Sequence, residues 1–304
     1  MLALTPLAAW RANRGACDFS RYPFAEGFAR DLLEPLPVRA ILLTNGDNDS
    51  MPLWYMQQVE GVRPDVTVIN LPTANTGTTL ARLRRSDPDL AGLLAGEPER
   101  GVLPVRSVKD STVTTRVEPR AGLGLPAGVA APESVIFRPT GEMIGSDRLV
   151  LDLIRLERWR RPVHLACTVV RDHVPWLWPF ARLDGLSFRV IPSDDPAVWD
   201  VDHLREQLFT RVRYRGIADS TVRMDVDSRA MCVNYVFALV QLASAQLERG
   251  KAREALATVE FLEDHVPPRR LGQAEDYFAS LRAQIEAGSR GPRRRPDDAP
   301  TTPR

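Results

Sequence analysis

The chain has 304 residues, enough for two domains or for one large domain with an appendage. Hydrophobic residues make up 44% and charged residues 26%, which excludes a chain that is disordered throughout or fibrous. Forty basic against 39 acidic side chains leave a net charge of +1, so electrostatics offers no case for a nucleic-acid partner.

Cys17, Cys167 and Cys232 are odd in number and widely spaced. They suit neither a disulfide framework nor a metal quartet, and they leave the redox compartment open. No uninterrupted run of about 18 apolar residues occurs. Residues 1–10 (MLALTPLAAW) are apolar but short and have no basic region ahead of them, so they do not make a complete signal peptide. They read as a buried N-terminal segment or as the stub of a longer membrane helix, and residues 1–20 are set apart on that ground.

Phe24, Phe28 and Leu32 recur every four residues and predict a helix that ends before Pro35 and Pro37. Residues 40–44 (AILLT) read as a strand buried on both faces. A polar stretch from Asn45 to Ser50 follows, and then a helix over 51–59 with Pro52 in its first turn. Gly61 closes that helix, and residues 66–70 (VTVIN) form a second strand. Together they make one right-handed βαβ unit with parallel strands.

Residues 71–139 are less regular. A helix is expected over 78–85, and residues 102–108 and 112–117 read as the strands of a hairpin-like excursion. Gly122, Gly124, Pro126 and Gly128 mark a loop. Ser146 is the expected N-cap of a helix carrying Leu149, Leu153 and Leu156 on one face. Residues 163–169 and 186–191 are two further strands, and the strand–helix alternation supports an α/β layer architecture.

From Asp202 onward the period is helical. Met231, Tyr235, Leu239 and Leu242 form an apolar stripe ending near Gly250, and helices follow over 252–264 and 271–287. Gly250, Ala255 and Pro267 match the turn glycine, small interhelical residue and closing proline of one tetratricopeptide-type hairpin. A single unit cannot form a solenoid, so it is read as a helical subdomain packed on the sheet domain. Residues 288–304 lack apolar periodicity and are expected to be disordered.

The expected fold class is therefore α/β, a mostly parallel sheet with flanking helices, followed by an all-α tetratricopeptide-like subdomain. The α/β part spans 21–200 and the helical part 201–287.

The most informative stretch is 45–50, at the carboxyl end of the first strand, where open α/β sheets bind ligands. Asp47 and Asp49, with the amides of Asn45 and Asn48, could contact sugar hydroxyls or supply oxygen ligands to Mg²⁺ or Ca²⁺. The same residues are ordinary turn formers, and Asp49 or Ser50 could simply cap the following helix. No resident cofactor is expected beyond such a divalent cation, with Asp47 and Asp49 as its only candidate ligands.

Trp54 and Tyr55 follow on the helix, where core packing is the commoner role for aromatics. Trp176 and Trp178 lie in the loop DHVPWLWPF; they suit a stacking platform, an interfacial anchor or, more commonly, a core plug. His173, beside Asp172 and after a strand, is placed for proton transfer but lacks a visible nucleophile. His164 sits inside a strand and reads as a core residue. Lys109 and Asp110 are a further candidate pair, with an exposed ion pair as the simpler reading. No serine elbow, HExxH or paired CxxC occurs.

The run AILLTNGDNDSMPLWYMQQVEGVRPDVTVINL at 40–71 resembles the C-terminal soluble region of bacterial protein O-mannosyltransferase-like membrane proteins, a family long catalogued as a domain of unknown function. Collinear blocks follow: SVKD at 107–110, RPVHLACTV at 161–169, RYRGIAD at 213–219 and RAMCVNY at 229–235. The likeness covers roughly residues 21–268. It implies a multi-helix glycosyltransferase membrane domain ahead of an extracytoplasmic soluble part, with the catalytic acids in loops of the membrane domain, so none is carried over here. One departure is PTANTGT at 72–78, where the family tends to carry aromatics.

The resemblance implies an accessory role that binds glycan, acceptor protein or the membrane-embedded transferase rather than catalysing, on the extracytoplasmic face of the bacterial inner membrane. The alternatives are a stand-alone nucleotide-sugar-binding protein or enzyme using the same loop, and a protein-interaction scaffold built on the helical hairpin.

Overall fold

The computed structural model describes residues 4–289 except 16, 19–21, 96–100, 103–105, 108–111, 119–121, 140–141 and 272–274. The first helix, α1 (Leu4–Asn13), is exposed from Thr5 onward, with Leu7 and Trp10 each 58% accessible. Helix α2 (Phe24–Leu33) buries Phe24, Phe28 and Leu32 at the predicted four-residue period. Strand β1 (Ile41–Thr44) is buried at all four positions, as a strand covered on both faces must be. Helix α3 (Asp47–Gln58) and strand β2 (Thr67–Asn70) complete a parallel βαβ unit in which Ile41 pairs with Thr67 and Thr44 with Asn70.

Thr76 caps α4 (Gly77–Ser86) by accepting from the Thr79 N–H, and Asp87 caps α5 (Pro88–Leu94) with Pro88 in its first turn. The irregular middle pairs differently from expectation. Strand β3 (Arg106–Ser107) and strand β4 (Val113–Arg116) do not form a hairpin with each other. Strand β4 pairs antiparallel with β5 (Ser134–Phe137), and β3 pairs with β6 (Glu142–Met143). Local alternation marks a strand but carries no information about which distant strand completes its ladder.

Helix α6 (Gly145–Glu157) begins before Ser146, with Ile144 in the cap position, so Ser146 lies in the first turn rather than capping it. Strand β7 (Val163–Ala166) joins the other side of β1 in parallel. Strands β8 (Ala181–Asp184) and β9 (Ser187–Val190) form a tight hairpin, and β9 pairs antiparallel with β7. The sheet order is β2-β1-β7-β9-β8. Half of it is parallel and half antiparallel, because 181–190 returns through a two-residue turn that no parallel pair can use.

The rest is helical: α7 (Val201–Glu206), α8 (Val226–Glu248), α9 (Ala252–His265) and α10 (Glu275–Ser289). Gly250 lies in the turn between α8 and α9, Ala255 is fully buried, and Thr258 Oγ1 donates to Gln246 Oε1 across the pair at 2.8 Å. Helix α8 is long and apolar enough to cross a membrane, yet half of its apolar window is packed inside the protein. Asn234, Gln241, Gln246 and the charged residues near its start break up the run in sequence.

One carboxylate joins the two halves. Asp31 on α2 accepts from the N–H groups of Arg213 (2.8 Å) and Tyr214 (3.1 Å) and from Tyr235 Oη on α8 (3.0 Å). Phe24 and Phe28 pack edge-on against Tyr235, so the sheet side and the helical side share a single apolar core.

Candidate functional site

The stretch 45–50 is not an open loop. Gly46 precedes α3 at φ +135°, a backbone region L-residues avoid, and this lets the helix start at Asp47, four residues earlier than its hydrophobic pattern indicates. At 3.6 residues per turn, positions two apart lie roughly 200° apart around the axis. Asp47 and Asp49 therefore diverge: Asp47 and Asn48 are exposed, whereas Asp49 is 2% exposed.

The Asp49 carboxylate is taken up internally. Its Oδ2 accepts from the Asn45 N–H at 2.9 Å and from Thr168 Oγ1, and its Oδ1 accepts from Ser50 Oγ at 3.1 Å. Ser50 Oγ also meets Thr44 Oγ1 at 2.7 Å, and Asn45 Nδ2 donates to the Thr168 carbonyl at 3.0 Å. The expected convergence of Asn45, Asp47, Asn48 and Asp49 in one open loop is thus corrected: Asp49 turns inward and Asp47 outward. Asn45 and Asp49, with Ser50 and Thr44, form a clasp that fastens the end of β1 to Thr168 after β7, whereas Asp47 and Asn48 face solvent.

The remaining candidates separate. Lys109 and Asp110 lie outside the described residues. His173 is half-buried in the segment after β7, where its carbonyl accepts from Trp178 Nε1 at 3.0 Å. Trp176 packs edge-on against Phe137, and Trp178 against Phe188, within or against the core. His164 is fully enclosed, with Nδ1 at 2.9 Å from Ser187 Oγ; burial pushes its imidazole down to about 3, so it is neutral.

Trp54 lines a cleft of about 480 Å³ between α3, α4 and the amino end of β2. The Arg82 guanidinium lies over its ring, 4.1 Å from the centroid. The carboxylates here are already paired: Asp87 with Arg161 at 2.7 Å, Asp65 with Arg63 at 2.8 Å, and Asp89 with Arg39. The Arg63 hydrogen bond holds the Asp65 carboxyl at about 2, against the opposing effect of burial. This cleft is a wall of closed ion pairs with one stacked arginine.

A second cavity of about 500 Å³ lies beside β8 and β9 under the loop 122–131, with Trp199, Asp200 and His203 on its other side. None of these residues was a candidate on sequence grounds. They come from three separate stretches, and the available signals were weak: a glycine-rich loop, an Asp-Gly turn and a Trp-Asp pair before a helix. His203 Nε2 meets Asp184 Oδ1 at 3.3 Å. Burial alone would raise the Asp184 carboxyl, but the His203 hydrogen bond and charge, with Arg189, hold it below its usual range. The hydrogen bond to Asp184 raises His203 in turn.

Gly124 sits at φ +79°, and a Cβ there would collide with the Arg189 side chain at Nε. Gly124→Ala is expected to lose about 1–2 kcal/mol from the left-handed backbone alone, read from urea unfolding, and to displace Arg189 into the cavity. The Asp184–His203 pair also sets a pH signature. His203 adds stability that is fully present below about pH 6.5 and fades as pH rises through its raised folded value. Asp184 adds stability that is present above about pH 3.8 and fades as pH falls through its lowered one. Because the His203 side chain is 40% exposed, its contribution is under about 1 kcal/mol. The wild-type urea midpoint should fall between pH 6 and pH 8, and His203→Gln should lose much of that dependence.

Comparison with known proteins places these features in context. The family description "TMEM260-associated domain 2" matches residues 25–89, the stretch from α2 to the start of α5 that contains the β1 side of the clasp and most of the Trp54 cleft. The link is to protein O-mannosyltransferase-like proteins. The mouse protein O-mannosyl-transferase TMEM260 is 32% identical over 96 residues, covering 31% of this chain and 13% of the mouse protein. The chain thus spans only a small part of that relative's length. No solved structure matches.

Proposed function

We propose that this chain is an accessory domain of a protein O-mannosyltransferase-like membrane glycosyltransferase. It works by binding glycan, acceptor protein or the transferase's membrane-embedded part, not by catalysing transfer. The observation that carries this reading is the behaviour of the matched segment. Within the segment that matches the TMEM260-associated description, the carboxylates of Asp49, Asp65, Asp87 and Asp89 are spent on the internal clasp and on ion pairs, which is what a scaffold needs and a reaction centre does not. The exposed apolar helix α1, with Leu7 and Trp10 open to solvent and Arg11 and Arg14 just beyond, supports attachment to a membrane surface, since aromatic residues favour the interface; the extracytoplasmic side is what the family resemblance implies. The α8–α9 pair is read as a tetratricopeptide-like hairpin that offers a groove to a protein segment.

The test is mannosyl transfer to an acceptor protein by membranes carrying the transferase's membrane domain, with and without this chain added. Transfer should rise when the chain is present; equal rates would overturn the accessory role.

A further inference from the structure

We propose that the cavity beside β8 and β9 is a binding site for a neutral saccharide. The inference rests on the accessory reading above and gives it a ligand and a location. The cavity of about 500 Å³ falls within the roughly 300–1,000 Å³ of small-molecule sites.

The chemistry of the site follows from which hydrogen-bonding groups are already used. The Arg182 guanidinium donates to the backbone carbonyls of Pro179, Ala181, Ser193, Asp195 and Val198. Arg189 donates to the Gly122 carbonyl. Asp184 uses Oδ1 on His203, and Asp200 uses Oδ1 on the His203 N–H at 2.9 Å. The second oxygen of each carboxylate accepts from no group among the described residues. Arg182 is thus fully spent, and the cavity retains two carboxylate oxygens as acceptors, which call for donors on the ligand.

The surrounding charge narrows those donors further. Two guanidiniums and an imidazole raised by Asp184 line the same space and oppose a metal cation or an ammonium group. The two carboxylates oppose a phosphate or a carboxylate. A ligand that donates hydrogen bonds and carries no charge satisfies both conditions, and hydroxyl groups do this. Trp199 lines the cavity with its indole fixed by Nε1–H donation to the Leu183 carbonyl at 3.0 Å, so its ring presents a rigid apolar face of the kind sugar C–H groups stack against.

The experiment titrates the full chain with methyl α-mannopyranoside, α-1,2-mannobiose and methyl β-galactopyranoside, and in parallel with inorganic phosphate and CaCl₂. Binding is read by calorimetry and by the intrinsic tryptophan fluorescence to which Trp199 contributes. A saccharide is expected to bind saturably, with a dissociation constant on the order of 1 mM. Asp184→Asn should weaken it at least about tenfold, as expected when a buried charged acceptor is lost. Val129→Trp, at the partly exposed rim, should block the cavity without touching the Asp184–His203 pair, so it keeps the test open if Asp184→Asn fails to fold.

Saturable binding of phosphate or Ca²⁺ without any saccharide, no binding of any saccharide, or saccharide binding that survives Val129→Trp unchanged would each overturn the proposal. Because the titration uses the chain alone, a negative result here is separable from a negative result in the transfer assay.

Discussion

Asp49→Ala should destabilise the protein by about 3 kcal/mol or more, while Asp47→Ala should change stability by less than about 0.5 kcal/mol. Asp49 is buried and is the shared acceptor for the Asn45 N–H, Ser50 Oγ and Thr168 Oγ1. Removing it strands donors in a dry environment, each costing about 1–3 kcal/mol. Asp47 sits exposed in the first turn of α3, where a carboxylate gains only a few tenths of a kcal/mol from the helix dipole. Urea unfolding of the two variants measures the difference. A small loss for Asp49→Ala would show that the clasp is not a structural element and would return the carboxylate to the list of ligand-binding groups.

The second large effect is at Asp31, and it depends on pH. Burial pushes its carboxyl up to about 6 from the ordinary 3.8, against the opposing hydrogen bonds from Arg213, Tyr235 and Tyr214. With the folded value above the unfolded one, Asp31 binds its proton more tightly in the native state. Its contribution is therefore greatest below about pH 4 and declines as pH rises to about 6. The difference from 3.8 to about 6 corresponds to about 3 kcal/mol.

Asp31→Ala leaves two main-chain N–H groups and the buried Tyr235 hydroxyl without their acceptor. It should cost about 3–5 kcal/mol at pH 5, with a smaller cost at pH 7.5. Asp31→Asn should flatten the acid limb of the stability profile while retaining part of the hydrogen bonding. A cost for Asp31→Ala that is the same at both pH values would contradict the raised carboxyl.

Much of the architecture is legible in the chain. The i, i+4 spacing of Phe24, Phe28 and Leu32 and the continuous apolar stretch at Ile41–Thr44 mark α2 and β1 because burial follows the period of the backbone. The start of α3 is not legible from hydrophobic pattern. Asp47, Asn48 and Asp49 carry no apolar signal, and only the backbone at Gly46 reveals that they are already helical. That one boundary decides the fate of the site, since it turns two apparently adjacent carboxylates into one solvated group and one buried acceptor.

Strands β3 and β6 are two residues each, too short for any period to register, and their partners are set by tertiary packing. The cavity at Asp184 is hidden for the same reason. Gly124, Asp184 and His203 meet only when a loop, a hairpin and a helix are brought together, and each residue alone has an unremarkable neighbourhood in the chain.

The Asp31 bridge has a consequence for how the polypeptide is made. Its hydroxyl donor, Tyr235, lies 204 positions downstream, and at ribosomal speeds of roughly 5–20 residues per second the acid waits about 10–40 s for it. The β1 clasp waits as well, for Thr168, 123 positions from Asn45. The early βαβ unit thus leaves the exit tunnel with an uncovered sheet flank and an unsatisfied acid, and both are completed only when the C-terminal helices emerge.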